Sequence, residues 1–225
     1  MYYTHLSMFR SGWLLVLSVM ASAVFLAARQ FSQGNWPVTF KVLSILLLAS
    51  LGFRRDVLLG GALAVSALGD FFLGINRMGG LGPERLFLLG LGSFLVAHLL
   101  YIALFRKFLT TGFPDAAGLR LGGVLLVLGC LATVLTMIYS SLGALRVPVI
   151  VYATVIAGMG ICSLLARMPS PLAAIGALLF IASDSMIALG KFATPVPLSG
   201  PLIWITYYVA QLFLEQAFEK TRTVK

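Results

Sequence analysis

The sequence predicts an all-α, polytopic membrane protein: a bundle of eight transmembrane helices. Three observations carry that expectation. Hydrophobic residues make up 60% of the chain and charged residues only 10%, with a mean hydropathy of +1.02, a balance suited to lipid rather than to a water-facing surface. The chain also divides almost entirely into apolar stretches of about 20 residues, the length a helix needs to cross a bilayer. Finally, none of its nine prolines falls in the middle of such a stretch, where a proline would remove a helical hydrogen bond.

The spans run near Ser11–Arg29, Pro37–Phe53, Asp56–Ile75, Glu84–Phe105, Gly118–Tyr139, Val147–Arg167, Pro171–Gly190 and Pro201–Phe218. Pro37, Pro148, Pro171 and Pro201 sit where helices start, a position that costs proline nothing. Ser170 and Gly200 precede two of them as caps. Asp56 and Glu84 put negative charge at two other helix starts, which the helix dipole favours. Little chain is left for a soluble domain, so residues 1–225 read as one transmembrane domain. The first stretch follows Arg10 and contains Ala-Ser-Ala at 21–23, as a signal peptide would, but its apolar run exceeds the roughly 7–15 residues of a signal core. It reads as the first span.

The formal charge of +9 is not a nucleic-acid footprint, because the basic residues fall singly or in pairs between spans. They report orientation instead. One face collects Arg10, Arg54, Arg55, Arg106, Lys107, Arg120, Arg167, Lys220, Arg222 and Lys225; the other has Arg29, Arg77, Arg85, Arg146 and Lys191. Ten against five predicts that both termini are cytoplasmic. Cys130 and Cys162 lie inside spans without metal or disulfide spacing and read as packing residues. Most of the 23 glycines read as helix-packing positions.

An ionisable side chain in the hydrocarbon region costs about 2.5 to 3.5 kcal/mol on insertion scales and needs a reason to be there. Lys41, Asp70, His98 and Asp184 are in that position, with Glu215 nearer a helix end. The third and seventh spans run in the same direction if the helices alternate. Asp70 lies fourteen residues past Asp56, and Asp184 fourteen past Ser170, so each is about 21 Å along its helix. The two carboxyls are expected at one depth. Lys41, Tyr152 and Tyr207, early in spans that run the other way, reach the same half of the membrane, with His98 and Gln211 deeper toward the other half. The plainer alternative is that such groups only hold helices together, that Lys41 snorkels to the interface and that His98 is a packing histidine. Gly69-Asp70 and Ser183-Asp184, four helices apart, hint at a duplicated four-helix unit, whose copies would be parallel.

The strings Ser66-Ala-Leu-Gly-Asp70-Phe-Phe-Leu73, Gly176-Ala-Leu-Leu-Phe180-Ile-Ala-Ser-Asp184 continuing to Lys191-Phe192, and Tyr207-Tyr-Val-Ala-Gln211 resemble the YhhN-like lysoplasmalogenase family. Lys41, Phe94 with His98 and Tyr101, and Val151-Tyr152-Ala153 add to the resemblance, which touches six of the eight spans. It implies a polytopic membrane hydrolase acting on a lysoplasmalogen or related lysolipid. The vinyl-ether bond is cleaved to a fatty aldehyde and a glycerophospho-ethanolamine or glycerophospho-choline. The setting it implies is the inner (plasma) membrane of a bacterium, with membrane lipid as the partner and no cofactor.

Vinyl-ether hydrolysis protonates the β-carbon, adds water to the resulting oxocarbenium ion and collapses a hemiacetal. It needs an acid and a base. Two neighbouring carboxyls supply both, because two like charges in a dry site do not both persist, and glycosidases pass through similar cations between paired carboxyls. Asp70 and Asp184 are therefore the catalytic candidates, with either one as proton donor. Lys41 is a candidate for the lipid phosphate, and His98, Tyr152, Tyr207 and Gln211 for orienting water or head group. With His5 and His98 as the only histidines, a three-histidine zinc site cannot be built within one chain. A proton-coupled carrier of a small molecule or lipid is the competing reading, and a non-catalytic lipid-binding scaffold a third.

Overall fold

The computed structural model describes residues 2–31, 34–75, 78–109, 116–168, 170–194 and 197–219, with the backbone alone for 2–11. Among the basic residues that set the expected orientation, Arg10, Arg77, Lys220, Arg222 and Lys225 lie outside the described side chains, as does His5.

Among the described residues there are eight α-helices and no strand: α1 (Tyr2–Phe31), α2 (Pro37–Arg55), α3 (Val57–Gly74), α4 (Pro83–Arg106), α5 (Ala117–Ile138), α6 (Arg146–Leu165), α7 (Leu172–Phe192) and α8 (Ser199–Gln216). This is the all-α membrane architecture expected from the sequence. Helices α1 to α7 are long and apolar enough to cross a membrane. Helix α8 has eighteen residues but carries Pro201, Gln211, Glu215 and Gln216, which lower its apolarity. It is accommodated by burial against other helices, with Trp204, Tyr207, Tyr208, Gln211, Leu214 and Glu215 all buried.

Most helix ends lie at or near the residues that predicted them, but α8 begins at Ser199, so Gly200 lies in its first turn instead of capping it. The Asp56 carboxylate caps α3 by accepting from the Leu58 amide at 2.8 Å, and Pro37 is the first residue of α2. Ser170 Oγ accepts from the Leu172 amide at 3.3 Å, so α7 starts one residue later than Pro171. Helix α6 begins at Arg146 and takes Pro148 into its first turn, where no intrahelical donor is lost. Two short 3₁₀ turns, Tyr139–Ser141 and Gly143–Leu145, join α5 to α6. Gly143, which opens the second turn, has φ +49°, a left-handed conformation that a Cβ would strain.

The helices form two compact units, residues 1–97 and 98–225, with the division inside α4. In the first, α2 packs closely on both α1 and α3. Ser18 Oγ of α1 donates to the Ser44 carbonyl of α2 at 2.7 Å. Helices α2 and α3 meet where a Cβ on Gly52 would stand 3.1 Å from the Gly60 backbone. In the second unit the closest pair is α7 with α8, and a Cβ on Gly176 would meet the Ala210 carbonyl oxygen at 2.9 Å and the Leu214 amide at 3.1 Å. The tightest contacts therefore join the second and third helices of one half but the third and fourth of the other, which is not the pairing of a simple duplication. Helix α5 is the least embedded, with only Val127 and Ile138 buried. The Arg120 guanidinium near its start donates to the Leu164 and Ala166 carbonyls at 2.7 and 2.9 Å, closing the end of α6.

Backbone-to-backbone approach at Gly176 leaves no room for a side chain, whereas Gly129 faces open space. Gly176→Val is expected to destabilise the protein by about 1–3 kcal/mol, as overpacking does, while Gly129→Ala is neutral. Thermal unfolding of the two variants in one detergent checks this, and equal melting temperatures would refute the packing described.

Candidate functional site

In the first unit, Asp70 is the fourteenth residue of α3, and only 1% of its surface is exposed. Its Oδ1 lies 2.9 Å from Lys41 Nζ, on the first turns of α2. Two opposite charges this deep are tolerable because each replaces water for the other. Gly69 owes its small size to packing, since a Cβ there would stand 2.7 Å from the Phe94 ring. One turn before Asp70, Ser66 is fully buried, and its hydroxyl has no hydrogen-bond partner among the described residues.

In the second unit, Asp184 is the thirteenth residue of α7. Its Oδ2 accepts a short hydrogen bond from the Tyr152 hydroxyl of α6. His98 Nε2 of α4 lies 3.0 Å from that same hydroxyl, so α4, α6 and α7 each contribute one polar group to a continuous chain. The His98 ring is fully buried, set edge-on against Phe180 at 4.7 Å. Its Nδ1 has no hydrogen-bond partner among the described residues. Ser183 serves a different purpose from Gly69: its hydroxyl donates to the Ile203 carbonyl at 3.0 Å and ties α7 to α8.

A second polar chain runs between α4 and α8. Tyr101 donates to Gln211 Oε1 at 2.7 Å, and Gln211 Nε2 donates to the Tyr207 hydroxyl at 3.2 Å. Phe180 stands between the chains, edge-to-face with His98 on one side and with Tyr207 on the other at 5.2 Å. One helical turn beyond Gln211, Glu215 is also fully buried.

Asp184 and Tyr152 line a cavity of about 70 Å³ between α5, α6 and α7. Its remaining walls are almost wholly apolar, with Val127, Leu131, Val134 and Leu135 on α5, Val149 and Ile156 on α6 and Ile181 on α7. Cys130 and Ser185 add the other heteroatoms, Sγ and Oγ 3.6 Å apart. The site thus presents one carboxyl group and one phenol to a space suited to hydrocarbon. Among the described residues no three His, Cys, Asp or Glu side chains stand close enough to hold a metal ion.

The residues singled out from sequence fall into separate sets. Lys41 meets Asp70; Tyr152 meets Asp184 and His98; Tyr207 meets Gln211. His98, expected deeper than Tyr152, contacts the Tyr152 hydroxyl. Lys41, expected at a phosphate, pairs its ammonium with Asp70. Tyr101 was seen only as part of a motif; its place one turn from His98 on α4 is the signal that links it to Gln211. Cys130 reads from sequence as a packing residue and Ser185 carries no mark, since nothing local signals a cavity wall formed by three helices.

Comparison with known proteins adds the family. The YhhN family model matches residues 36–218. A protein named lysoplasmalogenase from Mycobacterium tuberculosis is 33% identical over 159 residues, 70% of this chain and 58% of that protein. Lysoplasmalogenase TMEM86A of Bos taurus is 35% identical over 169 residues, 71% of this chain and 64% of that protein. Lysoplasmalogenase TMEM86B of Rattus norvegicus is 31% identical over 212 residues, 90% of this chain and 82% of that protein. The chain thus spans about three fifths of the length of the first two. No solved structure matches it. With a match through most of its length and several relatives above 30% identity, this chain is an integral membrane protein that belongs to the YhhN family.

Proposed function

We propose that this chain hydrolyses the vinyl-ether bond of lysoplasmalogens, releasing a fatty aldehyde and a glycerophospho-ethanolamine or glycerophospho-choline. The observation that carries the reading is the placement of Asp184, with the Tyr152 hydroxyl on it, in the wall of an otherwise apolar cavity. An enol ether next to a hydrocarbon chain is compatible with such a space, and its hydrolysis begins with a proton delivered to carbon. The names of the relatives point to the same activity.

In this mechanism the Asp184 carboxyl gives its proton to the β-carbon of the enol ether, and the C=C π electrons form the new C–H bond. Positive charge develops on the ether carbon and oxygen, next to the carboxylate just formed. Water adds to that carbon and loses a proton, and the hemiacetal collapses to aldehyde and free alcohol. Tyr152 and His98 form the route by which a proton returns to Asp184. Asp70, paired with Lys41, is proposed as a second catalytic residue. Gln211, which bonds both Tyr101 and Tyr207, and Tyr207 are read as positioning residues. Both termini are read as cytoplasmic from the bias of basic residues, and the membrane as a bacterial inner membrane from the family resemblance.

Purified protein given a 1-alkenyl lysophospholipid should release aldehyde and water-soluble head group, identified by mass. Asp184→Asn is expected to lower kcat by about 10² to 10⁴, the usual range for a lost acid–base group, with Tyr152→Phe reducing it less and neither changing the melting temperature much. Full turnover by a folded Asp184→Asn protein would end this mechanism. Counterflow of a solute in vesicles with no aldehyde formed would favour the carrier reading instead.

The Lys41–Asp70 pair separates a structural from a chemical role. Lys41→Met alone leaves a buried carboxylate without its counter-ion and should cost about 3–5 kcal/mol. The double variant Lys41→Met/Asp70→Asn should recover stability but not turnover. Recovery of both would reduce the pair to helix packing.

A further inference from the structure

The cavity is elongated along the helices. Its walls extend along α6 from Val149 to Ala157, eight rises of 1.5 Å or about 12 Å. On α5 they extend from Val127 to Ile138, about 16 Å by the same rise. Val127 and Ile138 are also the two buried residues of α5. Between them Cys130, Leu131, Val134 and Leu135 line the cavity while remaining half-buried. The slot is thus closed at its ends and thinly walled along its length, by the helix that is least embedded in its unit. Asp184 and Tyr152 stand between the two ends, with Val149 and Ala188 on one side and Ile156, Ala157 and Ile181 on the other.

Spanning helices run roughly along the bilayer normal, as lipid chains do, and half of the apolar thickness of a membrane is about 15 Å. The slot therefore parallels a lipid chain and approaches one leaflet in length. Its volume decides how much chain it takes. About 70 Å³ is several times the space one water needs, enough for a short piece of hydrocarbon and far too little for a whole tail. Apolar walls without ordered polar partners favour such a guest over water.

We propose that this slot is a subsite for the carbons next to the head-group linkage of a single-chain lipid, and that the rest of the chain leaves past α5 into the bilayer. The inference rests on the hydrolase reading only for the identity of the lipid. The slot grips the segment that reacts and leaves the tail in the membrane, so substrate reaches Asp184 sideways from the leaflet without being extracted into water. Recognition is then set by the first few carbons, and tails that differ only far from the linkage are treated alike.

Photolabelling tests this directly. Two non-cleavable 1-O-alkyl lysophospholipids, one with a diazirine three carbons from the ether and one with it at the chain end, are irradiated with the protein in phosphatidylcholine vesicles. The sites of insertion are mapped by peptide mass. The proximal probe should insert several-fold more into peptides covering 127–138 and 149–157 than the terminal probe, which should label bilayer lipid. Equal insertion of both probes into those peptides, or no insertion by the proximal one, would overturn the subsite. Turnover of a 1-alkenyl lysolipid in the same preparation keeps the two ideas apart. Slot labelling without aldehyde removes the hydrolase reading and leaves the subsite standing; aldehyde without slot labelling does the reverse.

Discussion

A polar side chain held in an apolar interior is the constraint around which this molecule is organised. Water is not there to solvate it, and several such groups are met by another on a neighbouring helix: Lys41 by Asp70, Tyr152 by Asp184 and His98, Tyr101 by Gln211. These pairs fix which faces of α2, α3, α4, α6, α7 and α8 turn inward within each unit. Their energy does not explain their presence. Placing one ionisable group in the membrane costs about 2.5 to 3.5 kcal/mol, whereas a hydrogen bond returns about 0.5 to 1.5 kcal/mol net. Leucine at the same positions would pack the helices at less cost. The proposed chemical role gives such groups a reason to be there, and Asp184 stands in the wall of a cavity.

Much of the fold was legible in the sequence because lipid imposes few solutions. Backbone groups must be satisfied within each span, so apolar lengths and breakers translate almost directly into helices. Asp56, Pro37 and Ser170 marked ends that the structure retains. What did not transfer was the apolarity of α8. Its Gln211 and Glu215 are paid for by burial against other helices, a tertiary fact absent from its own eighteen residues. The suggestion of a duplicated unit came from a small residue before each aspartate. Gly69 is small to admit Phe94, and Ser183 uses its hydroxyl to bind α8, so like sequence arose from unlike causes.

The site was legible as a set of residue types and less so as a geometry. Counting residues from helix starts placed Asp70 and Asp184 at similar distances along their own helices, as the fourteenth residue of α3 and the thirteenth of α7. Counting Cα positions could not show how far a side chain reaches, and so it did not reveal that His98 contacts the Tyr152 phenol. Partner choice was equally hidden. Lys41 has the chemistry to hold a phosphate, yet a carboxylate at 2.9 Å takes its ammonium. The cavity itself had no sequence signature, because Cys130, Ser185 and Ala188 become neighbours only when α5 and α7 pack.

The central claim is that the reaction begins with proton delivery to carbon by a carboxyl in a dry slot. Turnover of a 1-alkenyl lysophospholipid in D₂O, with the aldehyde trapped at once by reduction, reads that step directly. The account predicts one deuterium on the carbon beside the former carbonyl in every product molecule, formed at a rate that collapses when Asp184 becomes Asn. Product formed without deuterium at that carbon would contradict it.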